Sequence, residues 1–133
     1  MGQVLAHKWT PPARHPDLDV FSFMVNQFID SVRDAFKDSG FATTRDGAEF
    51  GGTFLVGYEG RLFEVESDNQ VGEAAVGYAA CGSGFEVALG AMHAAKSAGV
   101  TEAEQLVTLA LEAAEEFSCG VRGPFVVLSS ANN

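Results

Sequence analysis

Between Thr53 and His93 the side-chain pattern changes period, and the succession leaves few folds open. Phe54 and Val56 alternate with Thr53, Leu55 and Gly57, Glu59-Gly60 supplies a turn, and Leu62 to Glu66 runs back. Phe63 and Val65 fall on one face and Glu64 and Glu66 on the other, which predicts a hairpin with one wet side. Asp68 to Glu73 reads as a loop and Ala74 to Cys81 as a strand of small residues, against which another layer can pack closely. Gly82-Ser83-Gly84 then turns the chain into a helix that carries Val87, Leu89, Ala91, Met92 and Ala95 and stops at Gly99.

The flanking segments supply the helices of an α+β domain. The opening GQVLAHKW has a helical pattern and is cut off at Thr10-Pro11-Pro12, where the prolines remove donors. Pro16 and Asp17 signal the start of a long helix with Phe21, Met24, Val25, Phe28, Ile29, Val32 and Phe36 on one apolar face, ended by Gly40. Ala42 to Gly52 reads as a polar connection. Thr101 and Glu104 form a capping box for a helix from Glu102 to about Ser118, with Leu106, Val107, Leu109, Ala110, Ala113 and Phe117 inward. Gly123-Pro124 leads to a last strand, Phe125 to Leu128.

Composition narrows the function classes. At 133 residues and 47% hydrophobic the chain is most simply one globular domain. A net charge of -10 repels phosphate backbones and argues against a nucleic-acid partner. No apolar run approaches the roughly 20 residues of a membrane-spanning helix, and the N-terminus lacks a secretory signal, so no membrane partner and a cytoplasmic location are expected. Cys81 and Cys119 stand in no CxxC or zinc spacing and read as two buried, reduced thiols; His7, His15 and His93 show no metal spacing. A dinucleotide loop would need glycine at Val87, and no G-x-S-x-G elbow supports a serine triad. No cofactor and no metal are expected.

Read as GTFLVGYEGRLFEVES and then GYAACGSGFEVALGAMHAA, residues 52–67 and 77–95 resemble the middle of a proteasome-type peptidase subunit, including the bacterial HslV kind. The resemblance extends over about Asp17 to Leu128. It implies an N-terminal-nucleophile hydrolase fold, an αββα sandwich, and amide-bond hydrolysis of peptide or protein substrates in a homo-oligomeric ring served by an ATP-dependent unfoldase. Ser83 matches the family serine beside the N-terminal nucleophile. Glu115, Phe117, Ser118 and Gly120 match a motif of acid, aromatic, serine and glycine at the end of the following helix. Aspartate is usual where Glu115 stands, and glycine is common where Cys119 stands. The acid and serine of the family hold and poise the N-terminal amine, the proton acceptor of the nucleophile.

The family's opening strands, with their threonine, aspartate and lysine, have no counterpart before Asp17. The expectation is a partial domain without its nucleophile, either a fragment with an internal start or a reduced relative. The alternative is a non-catalytic ring subunit or binding module of the same fold; a third reading is an unrelated acidic domain whose Gly82-Ser83-Gly84 turn binds a small anion. Gly52-Thr53 imitates the junction at which family precursors cut themselves, but cleavage there would discard the long helix and leave Thr53 with no following lysine until Lys96. Thr53 reads instead as the first residue of a strand.

Overall fold

A computed structural model describes residues 1–130. The chain is mixed α plus β with two small antiparallel sheets, β1-β2 and β3-β4-β5. It divides into two compact units: Met1–Val56 with Phe63–Glu73, and Gly57–Leu62 with the chain from Ala74 on. Among the described residues no helix is long and apolar enough to cross a membrane.

The first unit is built on aromatic packing. Helix α1 (Gly2–His7) forms where the pattern predicts it. Beyond it the Trp9 indole donates to Ser31 Oγ at 2.8 Å and meets the Phe28 ring edge-on, centroids 5.5 Å apart. The long helix opens at Val20, later than Pro16-Asp17 suggests, because the Asp19 carboxylate accepts the Ser22 N–H at 3.0 Å and satisfies a first-turn donor. It runs as α2 (Val20–Phe23), a π-helical turn (Met24–Phe28) and α3 (Ile29–Asp38). The π turn holds one residue more than an α turn, so everything upstream is rotated by a residue. Phe23, absent from the predicted apolar face, is therefore fully buried, whereas Phe21 is 40% exposed. Gly40, at φ +72°, ends the helix as predicted, and the Phe41 and Ala42 N–H groups both reach the Phe36 carbonyl.

The expected polar connection after this helix is instead a small hairpin, β1 (Thr43–Arg45) against β2 (Ala48–Phe50), in the register Thr44 to Glu49. Asp46 and Gly47 both have positive φ, the backbone of a tight two-residue turn, and Asp-Gly was the signal for it. The Arg33 guanidinium at 3.1 Å and the Lys37 ammonium at 3.4 Å clasp Glu49 and hold its carboxyl below its ordinary range. A carboxyl lowered on folding adds stability that is present above its unfolded pKa and lost as pH falls through its folded pKa. The difference in urea midpoint between the native protein and Glu49→Gln is thus expected to shrink as pH drops through the carboxylate range. A difference that stays constant with pH would show that the clasp contributes nothing.

Strands β3 (Phe54–Tyr58) and β4 (Arg61–Val65) form the predicted hairpin around Glu59-Gly60, both at positive φ, with Thr53 one residue before the strand. Phe63 and Val65 are fully buried, as their alternation requires. The segment read as a loop holds a third strand, β5 (Val71–Glu73), which pairs Val65 with Val71 and Phe63 with Glu73. Asp68 Oδ1 accepts the Gln70 N–H, and Asn69, at φ +68°, reverses the chain at that point.

In the second unit α4 (Phe85–Ser97) packs along α5 (Ala103–Phe117). Their seam is Ala88, Met92, Ala110 and Ala114, with Tyr78, Ala80, Leu89, Leu106 and Val121 against it. Small side chains at the seam let the helix axes approach closely, and this narrow contact leaves the wider predicted stripe partly unused. Val107 and Leu109, expected inward, are 40% and 36% exposed, and Phe117 is 77% exposed. The capping box does not form: Glu102 occupies the N-cap position without a side-chain bond. The small-residue segment Ala74 to Cys81 is not a strand. Gly77, at φ +80°, donates to the Ala74 carbonyl and closes a turn there, and alanine and glycine favour no ladder that would oppose it. Phe125 to Leu128 likewise joins no sheet among the described residues, and Val126 and Leu128 are 80% and 87% exposed. Cys119, expected to be buried, is exposed, and Cys81 is partly buried.

Candidate functional site

Two helix ends meet in the second unit, and glycine makes the meeting possible. Gly82 and Gly84 both have positive φ, and Gly84, at φ +74°, is the N-cap of α4, its carbonyl accepting the Ala88 N–H at 3.0 Å. A Cβ on Gly84 would stand 3.1 Å from Ala114 Cβ, Ser118 Cβ and Val121 Cγ2 at once. A Cβ on Gly120 would stand 2.2 Å from Ser83 Oγ and 2.9 Å from Ser83 Cβ. A side chain at Gly84 would crowd all three atoms on a strained backbone, and one at Gly120 would displace the Ser83 side chain.

This approach brings Ser83 and Ser118 together, with Oγ atoms 3.2 Å apart. Ser83 lies just ahead of α4, in a turn where no side chain caps the helix. Ser118 is the C-cap of α5; its N–H donates to the Ala114 carbonyl and its own carbonyl accepts the Val121 N–H. One hydroxyl of the pair donates to the other, and the acceptor keeps its own proton for a third group. The pair thus offers a donor and lone pairs together, suited to holding an amine or a polarised carbonyl.

Glu115 lies one turn before Ser118 and accepts the Gly123 N–H through Oε1 at 3.0 Å. That bond ties the loop after α5 back to the helix on which Ser118 ends. Of the three residues singled out from sequence, Ser83 and Ser118 are in direct contact, and Glu115 braces the loop beside them. Phe117 and Gly120 of the same motif separate into an exposed ring and a close-packing glycine. Among the described residues no group of three or more His, Cys, Asp or Glu could hold a metal ion. A cavity of about 460 Å³ lined by Ala103, Val107 and Leu128 lies at the opposite end of α5 from the serine pair.

A second polar group, which no sequence motif marks, lies in this unit. Tyr78 Oη lies 3.1 Å from His93 Nδ1, and Lys96 Nζ donates to the Val76 carbonyl at 2.9 Å. The i,i+3 spacing of His93 and Lys96 is legible on α4, whereas Tyr78 falls in the small-residue segment that reads as a strand, and nothing in the sequence aims it at His93.

Among solved structures, the chain is similar to Thiobacillus denitrificans BPH in complex with epoxomicin, with 29% identical residues and a TM-score of 0.66 over 86% of this chain and 60% of that one. It is similar to Thiobacillus denitrificans BPH with 27% identity and a TM-score of 0.64, over 87% of this chain and 61% of that one. The chain spans about three-fifths of the length of these two structures. No protein-family model and no curated protein matches it.

Proposed function

We propose that the chain is a proteasome-type, HslV-like peptidase subunit of the N-terminal-nucleophile class, and that the 133 residues carry the supporting half of its active site. The observation that carries this reading is the contact between Ser83 and Ser118, which arise 35 residues apart and meet at 3.2 Å through a glycine-lined approach. The likeness to a BPH structure solved with epoxomicin supports it and makes epoxomicin the first compound to test. In this reading the fold is an αββα sandwich to which the small sheets contribute, and the subunit works in a homo-oligomeric ring with an ATP-dependent unfoldase.

The roles are those the family resemblance implies, fitted to the contacts seen here. The serine pair holds the α-amine of an N-terminal threonine or serine, which takes the nucleophile's proton as the hydroxyl attacks a substrate carbonyl. Glu115 positions the end of α5 through the Gly123 N–H. None of these three residues is itself the nucleophile.

A second reading, a non-catalytic ring subunit or binding module, is favoured by one observation: the Glu115 carboxylate is engaged by a backbone N–H and not by either serine. One experiment separates the two. The gene product is purified from its own cells, its N-terminal residue is read by mass spectrometry, and fluorogenic peptides are offered with and without epoxomicin. Hydrolysis abolished by epoxomicin, with an N-terminal threonine or serine, is the expected result. An assembled ring that neither cleaves peptides nor retains epoxomicin would overturn the catalytic reading in favour of the second.

A further inference from the structure

The far half of α4 carries a cationic hollow with no part in the serine pair. Val76, Tyr78, His93, Lys96 and Ser97 line a concavity of about 370 Å³. Ten residues of sequence separate Ser83 from His93, roughly 15 Å along a helix at its usual rise, so the hollow and the serine pair lie at different places on the unit.

Its polar groups are held in place. Lys96 Nζ donates to the Val76 carbonyl at 2.9 Å and stands 5.3 Å from the centroid of the Tyr78 ring. One of its three N–H donors is therefore committed, and two remain for a ligand. The Tyr78 ring packs on the core of the unit, and its hydroxyl meets His93 Nδ1 at 3.1 Å. When Tyr78 donates to Nδ1 of the neutral ring, the ring proton sits on Nε2 and can be donated; in the other tautomer Nε2 is an acceptor, and a bound oxyanion selects the first. Ser97 adds a hydroxyl on the next residue of the helix. No carboxylate lines the hollow, in a chain whose net charge is -10.

We propose that this hollow binds a small oxyanion, the carboxylate or phosphate group of a soluble ligand, between Lys96 Nζ, His93 Nε2 and the Ser97 hydroxyl. The Lys96 ammonium, with an imidazole N–H and a hydroxyl beside it, attracts such a group. The general acidity of the chain and the openness of the site to solvent keep the affinity weak, with Kd on the order of 1 mM. The site is separate from the proposed peptidase function and stands or falls without it.

The test is an NMR titration of the 133-residue chain, following the His93 ring and Lys96 side-chain signals while inorganic phosphate or, separately, acetate is added at constant ionic strength against chloride. Saturable shifts at both residues with at least one of the two anions are expected, and the tighter of the two names the ligand's head group. Lys96→Met should weaken that binding about tenfold, the scale of one charge-assisted hydrogen bond. His93→Gln leaves the Lys96–Val76 clamp in place and should also weaken it, which separates lost binding from lost structure. Shifts that grow linearly for both anions, that chloride reproduces, or that saturate equally in His93→Gln would overturn the proposal and leave Lys96 as a clamp on the Val76 turn alone.

Discussion

Phe36→Ala is expected to cost about 3–5 kcal/mol of stability, the usual range for truncating a buried phenylalanine. Phe36 is 1% exposed, and its ring lies 5.0 Å from the Phe41 ring and 6.3 Å from that of Phe54. Gly51 presses so near that a Cβ there would come within 3.1 Å of the same ring. Three segments therefore converge on one side chain, and truncation at Cβ removes the ring that all of them touch. The Phe36 carbonyl would still receive the Phe41 and Ala42 N–H groups, so the loss is one of packing and not of hydrogen bonds. Since domains of this size are stable by only about 5–15 kcal/mol, the variant should lose a large part of its margin. Urea unfolding of Phe36→Ala beside Phe36→Leu measures it. A loss under about 1 kcal/mol for the alanine variant would contradict the packing described.

In the natural gene product, and on the proposed function, Ser118→Ala should slow peptide hydrolysis by on the order of ten- to a thousandfold with the fold intact. Ser83→Ala should do the same. Because the hydroxyls act as one pair, the double variant should be little slower than either single one, as happens when residues work as a unit. The stability cost should stay near 1 kcal/mol, the net value of one hydrogen bond between partly solvated groups. The measurements are kcat/KM for the three variants and their thermal unfolding. Turnover unchanged in all three would reduce the pair to a contact that helps two helix ends pack.

Much of this was legible beforehand, and the reasons for success and failure are local. The hairpin from Phe54 to Val65 was readable because alternation and turn chemistry agreed at Glu59-Gly60. The long helix was readable in outline and over most of its inward face, but a π turn leaves no mark in a 3.6-residue pattern, so the periodicity points to Phe21 where Phe23 is buried. Asp46-Gly47 was a turn signal left unused, because the flanking Thr43 and Glu49 lack the apolar alternation that identifies strands. Ala74 to Cys81 went wrong because small residues are compatible with either a close-packed strand or an irregular segment.

At the site, the family resemblance singled out Ser83 and Ser118 separately and did not state their contact. No spacing in the sequence implies it, since the two residues are joined through 35 positions of helix and turn. The bond from Gly123 to Glu115 was invisible for the same reason: it depends on where a loop returns, which residue patterns do not encode.

The π turn at Met24–Phe28 also bears on how this chain tolerates changes of length. A helix that already accommodates a surplus residue is the one place where a residue can be removed without turning the rest. Asn26 and Gln27 are exposed there, and the Asn26 side-chain amide serves the Ser22 carbonyl at 2.8 Å. Loss of either residue would leave a regular α-helix with Phe23 and Phe36 on their present sides, whereas a deletion in α3 would rotate one of them by about 100° away from the core. An alignment gap of one position at residues 24–28 would therefore mark a relative with the same interior, and a gap a few positions later would mark one with a different interior.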